Sequence, residues 1–81
     1  MAFRRRYRRM LIFDVETIAE ESFVIAWDYL DRAGAIDDPD AAMVELGDEI
    51  IALLGKGESH KIRIANLAID AYLRRRERLV A

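Results

Sequence analysis

Two clusters of arginine are the residues of this sequence whose type and spacing best fit a known binding chemistry. One cluster lies among the first nine residues, where it is interleaved with Phe3 and Tyr7, and the other lies near the C-terminus. Their members are Arg4, Arg5, Arg6, Arg8, Arg9, Arg74, Arg75, Arg76 and Arg78. Guanidinium groups bind phosphates and aromatic rings stack on bases, so the pattern fits DNA or RNA. A solvated arm and a helix end whose cations complement free carbonyls explain the same residues, and we favour this second interpretation.

The other reactive side chains form no catalytic, cofactor-binding or metal-binding pattern. His60 is the only histidine and the chain has no cysteine, so a zinc site lacks its usual ligands and a thiol nucleophile is excluded. Residues 55–59 combine glycines with a lysine but lack the spacing of a phosphate-binding loop, and residues 37–40 lack the spacing of an EF-hand. We therefore expect no enzymatic activity, no cofactor and no bound metal.

Length and composition predict one folded domain in the cytoplasm. The chain has 81 residues, of which 53% are hydrophobic and 35% are charged, a balance typical of folded domains. The absence of cysteine fits a reducing compartment. The apolar run after the N-terminal arginines ends at Asp14, too early for a signal peptide. No apolar segment approaches the ~18 residues that a membrane span needs, so we expect no membrane partner.

Charge is distributed unevenly along the chain. Residues 1–9 carry +5, residues 10–60 carry −11 and residues 61–81 carry +4, which together give the net charge of −2. We interpret residues 1–12 as a basic N-terminal arm, with a short helix or a strand as alternatives, and residues 13–81 as a single helical domain. An acidic middle between basic ends can complement a second copy of the chain.

The first predicted helix spans about residues 15–33. Asp14 is a suitable N-cap, and Gly34 provides a left-handed stop. Its apolar arc covers roughly 200°, twice the width that one buried stripe needs. One flank of this arc is predicted to meet the core of its own chain; its residues are Phe23, Trp27 and Leu30.

The second predicted helix spans about residues 39–54, with Asp38 as N-cap, Pro39 at its first position and Gly55 at its end. A broad apolar arc holds Met43, Val44, Leu46, Gly47, Ile50, Ile51, Leu53 and Leu54. Gly47 marks either a close helix contact or a weakness of ~1 kcal/mol relative to alanine.

The third predicted helix spans about residues 60–78 after a Ser59 cap, and its apolar arc is again nearly 200° wide. Connections of four or five residues favour antiparallel neighbours, so the expected fold is all-α, a three-helix up-down-up bundle. Three helices with such wide arcs satisfy one another only partly, which predicts a homodimer. The expected self-association residues are Ile18, Ile25 and Tyr29.

Two resemblances add to these expectations. Residues 57–77, GESHKIRIANLAIDAYLRRRE, resemble the second helix of ribbon-helix-helix repressors, although residues 33–40 lack the alternating pattern of that family's DNA-reading strand. The layout of residues 13–76 is similar to short, uncharacterised all-helical proteobacterial proteins, which implies a helical fold and a bacterial source but no function. We expect a non-enzymatic, self-associating interaction module that could also bind a different protein; the alternative is a small DNA- or RNA-binding regulator using the two arginine clusters.

Overall fold

Three α-helices make up the fold: α1 (Ala2–Arg32), α2 (Pro39–Gly55) and α3 (Lys61–Val80). The structure is a computed structural model that describes the backbone of residues 2–80 and the side chains of residues 15–79. Each helix packs against both of the others, and the backbone of residues 2–80 contains no strand. The predicted all-α three-helix bundle is therefore confirmed.

Two long-range hydrogen bonds define the relative directions of the helices. The Ser22 hydroxyl donates to the Lys61 carbonyl at 3.3 Å, and the Tyr72 hydroxyl donates to the Ala35 carbonyl, also at 3.3 Å. Contacts between α1 and α3 therefore advance in the same direction along both segments. Because α2 connects the top of one helix to the bottom of the other, the topology is up, down, up.

Small side chains let the helices approach closely at the centre of the bundle. The fully buried alanines of the core are Ala26, Ala65 and Ala68. The largest fully buried apolar side chains are Leu30, Leu46, Ile50 and Ile64. These small and large apolar side chains belong to one buried cluster shared by the three helices. The predicted placement of Leu30 in the core is confirmed, and Phe23 and Trp27 are half-buried against it.

The end of α1 is a Schellman motif that combines two backbone hydrogen bonds with an apolar contact. The amide of Ala35 donates to the Leu30 carbonyl at 2.9 Å, and the amide of Gly34 donates to the Asp31 carbonyl at 3.1 Å. Gly34 has φ of 69°, which glycine adopts without steric penalty. Ala35 and Leu30 are both buried in the same cluster. The predicted left-handed stop at Gly34 is confirmed.

The start and the end of α2 match their prediction, and the left-handed residue that follows is a later glycine. The Asp38 side chain accepts a hydrogen bond from the Ala41 amide at 3.3 Å, with Pro39 following it as the first helical residue. The helix ends at Gly55 as predicted, and the left-handed residue is Gly57, two residues later, with φ of 95°. Either glycine can supply this conformation, and local sequence does not distinguish them.

The starts of α3 and α1 differ from prediction. α3 begins at Lys61, so the residue directly before the helix is His60 and not the expected cap Ser59. His60 is exposed. α1 begins at Ala2, so the helix does not start after Asp14. No glycine or proline precedes Gly34 that would interrupt helical hydrogen bonding. The division into an arm of residues 1–12 and a domain of residues 13–81 stays a prediction.

Candidate interaction surface

An exposed apolar surface lies on the outer side of α2. Met43, Val44 and Ile51 are 53%, 63% and 67% exposed, respectively. At about 100° per residue these three side chains and Gly47 fall within roughly 100° of one another around the helix. We call these four residues the Gly47 face. The core side of the same helix is formed by Ala42, Leu46, Ile50 and Leu53.

The Gly47 face is the part of the predicted apolar arc that the bundle does not cover. The sequence predicted one continuous apolar arc on α2, and the structure divides it into a buried half and a solvent-exposed half. A helix in a three-helix bundle contacts two neighbours, so it buries one stripe and leaves the rest of a wide arc in water. Contiguous exposed apolar residues are typical of interaction sites.

Gly47 occupies the middle of this face, although the packing of the bundle does not require a glycine there. Its φ is not positive, so the backbone conformation does not require glycine. A Cβ atom built at Gly47 would meet no heavy atom within 4 Å beyond its own helical turn among the described residues. Glycine within a helix is less favourable than alanine by about 1 kcal/mol. The close helix contact that the sequence suggested at Gly47 is therefore not made by any residue whose side chain the structure describes.

The two ends of α2 carry opposite charges. Asp40 lies in the first turn and Lys56 caps the last turn, and both side chains are exposed. The described part of the chain contains five ion pairs, between Arg32 and Asp28, Lys61 and Glu21, Arg63 and Glu58, Arg74 and Asp70, and Arg76 and Asp37. Neither Asp40 nor Lys56 belongs to an ion pair within residues 15–79.

The residues predicted for self-association lie on α1. Ile18 and Ile25 are half-buried and pack against the core of their own chain. Tyr29 is 54% exposed. The predicted contact is thus on α1, whereas among residues 15–79 three of the exposed large apolar side chains group together on α2. The signal that could have revealed it is the interior glycine flanked by apolar residues.

The arginine clusters are only partly described. The side chains of Arg4, Arg5, Arg6, Arg8 and Arg9 lie outside the described residues. In the C-terminal cluster, Arg74 pairs with Asp70 at 3.0 Å and Arg76 pairs with Asp37 at 3.1 Å. Two of the four C-terminal arginines thus already bind a carboxylate of their own chain. At about 100° per residue, Arg74 and Arg76 point roughly 160° apart around α3. Nucleic-acid binding stays a prediction.

No family model, curated protein or solved structure matches this chain. The resemblances to ribbon-helix-helix repressors and to proteobacterial helical proteins therefore stay predictions. Within the described residues, no three histidine or acidic side chains gather closely enough to hold a metal ion. None of the helices, as far as they are described, combines the length and apolarity needed to cross a membrane.

A clamp between α3 and the loop after α1 positions the start of α2. The Tyr72 hydroxyl donates to the Ala35 carbonyl, and two nitrogens of Arg76 donate to the Asp37 carboxylate at 3.1 and 3.4 Å. Burial raises the pKa of the Tyr72 hydroxyl above its usual value, and the Glu45 and Asp37 carboxylates raise it further. The nearby Arg76 guanidinium acts in the opposite direction.

Replacing Tyr72 by phenylalanine tests this clamp. We expect Tyr72→Phe to lower the free energy of unfolding by about 0.5–1.5 kcal/mol at neutral pH, because one hydrogen bond to a loop carbonyl is lost. Because the folded pKa is raised, the stability that the protonated hydroxyl provides is fully present below pH 10.0 and is lost as the pH rises through the folded pKa. Urea unfolding should show a smaller difference in the free energy of unfolding between Tyr72→Phe and the original protein at about pH 11 than at about pH 8.

The exposed Tyr29 provides the matched control for this prediction. Tyr29→Phe should leave the free energy of unfolding within about 0.5 kcal/mol of the original protein at both pH values. A difference between Tyr72→Phe and the original protein that stays constant across this pH range would contradict the proposed role of the hydroxyl.

Proposed function

We propose that this protein is a small, non-enzymatic helical module that acts by associating with itself through the Gly47 face of α2. The observation that supports this proposal is the grouping of Met43, Val44 and Ile51, each more than half exposed, on one side of one helix. Removing apolar surface from water is favourable by about 25 cal/mol per Å², so covering this face would stabilise an assembly. The lack of cysteine suits work in the reducing cytoplasm.

Size supports the same proposal. A chain of 81 residues buries only about 60–65% of its unfolded surface, so its own core provides limited stability. Association removes further apolar surface without requiring a longer chain. Apolar side chains dominate the Gly47 face and charges lie at its margins, which is the composition typical of a surface that contacts another protein.

Light scattering coupled to size-exclusion chromatography tests the proposal. The original protein should give the mass of a dimer at tens of micromolar. Ile51→Lys should give the mass of a monomer with unchanged far-UV circular dichroism, because a lysine within the contact loses its hydration. A protein that is strictly monomeric at tens of micromolar would refute self-association.

Val24→Lys is the matched control for this experiment. Val24 is 63% exposed, so it resembles Ile51 in exposure, but it belongs to α1. We expect Val24→Lys to remain a dimer. If Ile51→Lys remains a dimer while Tyr29→Lys becomes a monomer, the contact uses the flank predicted from the sequence, and the assignment to the Gly47 face is wrong.

A further inference from the structure

We propose that the Gly47 face of one copy is covered by residues 2–17 of a second copy, and that two copies exchange these segments reciprocally. We call residues 2–17, the start of α1, the leading segment. This inference rests on the proposed self-association and names the part of the second copy that meets the face. Three observations support it: α1 extends beyond the bundle, the two surfaces are complementary in composition, and their lengths match.

The leading segment extends beyond the rest of the bundle. α1 begins at Ala2, whereas Ile18 is the first of its described side chains that packs against the buried core. The Ser22 hydroxyl donates to the carbonyl of Lys61, the first residue of α3. The short connection from α2 to α3 lies at the same level of the bundle, so the leading segment runs past the ends of both other helices.

As part of a continuous helix, the leading segment cannot lie on the α2 of its own chain. α2 lies alongside α1 between the loop after Arg32 and the connection to α3, whereas the leading segment lies beyond that connection. The leading segment and the Gly47 face of one chain therefore occupy different stretches along the bundle. A second copy can place its leading segment beside α2, so the occupant is a second copy.

The charges beside the Gly47 face are acidic. α2 contains four acidic residues and no basic residue. At about 100° per residue, Asp40 falls between members of the face and Asp48 falls about 40° from Val44. Both aspartates are exposed, and neither belongs to an ion pair within residues 15–79. The complement of this face is therefore a surface that is apolar and basic.

The leading segment has that composition. It holds five arginines and two acidic residues, which give a net charge of +3, and all five arginines precede Met10. Helical spacing places four apolar residues within about 100° of one another; they are Phe3, Tyr7, Met10 and Leu11. Arg4 and Arg6 fall at the two edges of this group. Apolar residues at such intervals are the pattern by which an amphipathic helix binds an apolar surface.

The leading segment and α2 also match in length. At ~1.5 Å per residue, the leading segment spans about 24 Å and the 17 residues of α2 span about 25 Å. Side by side, the middle of the leading segment lies at the level of Gly47. No described residue approaches the position of the missing Cβ of Gly47 within 4 Å, and a glycine permits close approach of a second helix.

A closed dimer fixes the direction of the exchanged segment. Under two-fold symmetry both copies make the same contact, so association stops at two chains. The two bundles then point in opposite directions. Because α1 and α2 are antiparallel within each chain, the leading segment of one copy runs parallel to α2 of the other. An antiparallel contact instead requires copies that all point the same way, which produces open chains of molecules.

Cross-linking tests both the occupant and its direction, because the chain contains no cysteine that would interfere. Ala2→Cys is mixed with Met43→Cys in one experiment and with Ile51→Cys in another, and both mixtures are treated with a short bismaleimide. Each chain carries a single cysteine, so every product joins two copies. We expect more product between positions 2 and 43 than between 2 and 51. The reverse order, or neither product, would overturn the proposal.

Exchanging charges tests the complementarity. Arg4→Glu/Arg6→Glu/Arg8→Glu changes the net charge of the leading segment from +3 to −3, because three positive charges become negative. Asp40→Lys/Asp48→Lys reverses the charges beside the Gly47 face. Each variant alone should weaken the homodimer by about tenfold or more.

An equimolar mixture of the two variants should recover association as a mixed dimer. The acidic leading segment of the first variant then meets the lysines of the second, and the original leading segment of the second meets the original aspartates of the first. Damage to the fold would not be repaired by mixing, so recovery separates a contact from a structural defect. A mixture that stays dissociated would overturn the proposal.

Glu20→Lys/Asp31→Lys is the matched control. It changes the net charge of the chain by the same amount as Asp40→Lys/Asp48→Lys, but both positions are exposed residues of α1. We expect this variant to keep the dissociation constant of the original dimer. Equal weakening by the two lysine variants would show an effect of net charge alone and would overturn the pairing of the leading segment with α2.

The outcomes separate this inference from the proposed function. An original protein that never dimerises refutes self-association itself. If Ile51→Lys dissociates the dimer while the arginine-to-glutamate variant leaves the dissociation constant unchanged, the Gly47 face is kept as the contact and the leading segment is wrong as its occupant.

Discussion

Leu46→Ala will lower the free energy of unfolding by about 2–5 kcal/mol. Leu46 is fully buried on the core side of α2, in the cluster that joins all three helices. Its truncation removes apolar contacts and leaves a cavity that the surrounding side chains only partly fill. A domain of 81 residues has a total stability of about 4–12 kcal/mol, so this change removes a large share of it.

Urea unfolding followed by circular dichroism, at a protein concentration low enough to keep the chain monomeric, measures this loss. Val24→Ala is the matched control, because Val24 is an apolar helical residue of similar size that lies mostly in solvent. We expect it to change the free energy of unfolding by less than about 0.5 kcal/mol. Equal losses in the two variants would contradict the placement of Leu46 in the core.

Ala68→Asp will destabilise the bundle by several kcal/mol at neutral pH and unfold much of the population. Ala68 is fully buried on α3 and adjoins a small gap that is also lined by Glu45, Glu49 and Arg75. A carboxylate there loses its hydration, and the two glutamates oppose its charge while only one arginine favours it. We therefore expect the pKa of the new aspartate to rise in the folded state.

The pH dependence of this variant follows from that raised pKa. An aspartate has a pKa of about 3.9 when unfolded. Because the folded value is higher, the variant is least destabilised below about pH 4, where the side chain is neutral in both states, and loses stability as the pH rises through the folded pKa. Thermal unfolding should show a larger difference in midpoint temperature between Ala68→Asp and the original protein at about pH 7 than at about pH 4.

Two controls separate charge from volume in this experiment. Ala68→Asn has nearly the same shape and no charge, so its destabilisation should not depend on pH in this range. Ala52→Asp places the same charge on an exposed position of α2 and should cost no more than about 1 kcal/mol. If the midpoint difference between Ala68→Asp and the original protein does not increase from about pH 4 to about pH 7, the buried environment of residue 68 is contradicted.

The helical boundaries show how far local sequence information reaches. Three residues act at helix ends as predicted: Asp38, Pro39 and Gly34. The Asp38 carboxylate accepts a hydrogen bond from a backbone amide, Pro39 has no amide hydrogen that would need a partner, and Gly34 adopts the left-handed conformation. Each effect depends only on the residue's own turn. α2 ends at the expected Gly55, but the left-handed residue is Gly57, and α3 starts after the expected Ser59 cap. At both places neighbouring residues are comparably suited to the position, so local sequence does not select one of them.

What the sequence by itself determined is the fold class: three helices, their approximate ends and their up-down-up order follow from periodicity, caps and short connections. What only the tertiary structure decided is which half of each wide apolar arc is buried. On α2 the bundle covers Leu46 and Ile50 and leaves Val44 and Ile51 in solvent. The physical reason is that an arc wider than one helix contact can be buried in several ways, and the choice depends on how all three helices pack together. The candidate surface at Gly47 is the part of that arc which the packing leaves uncovered.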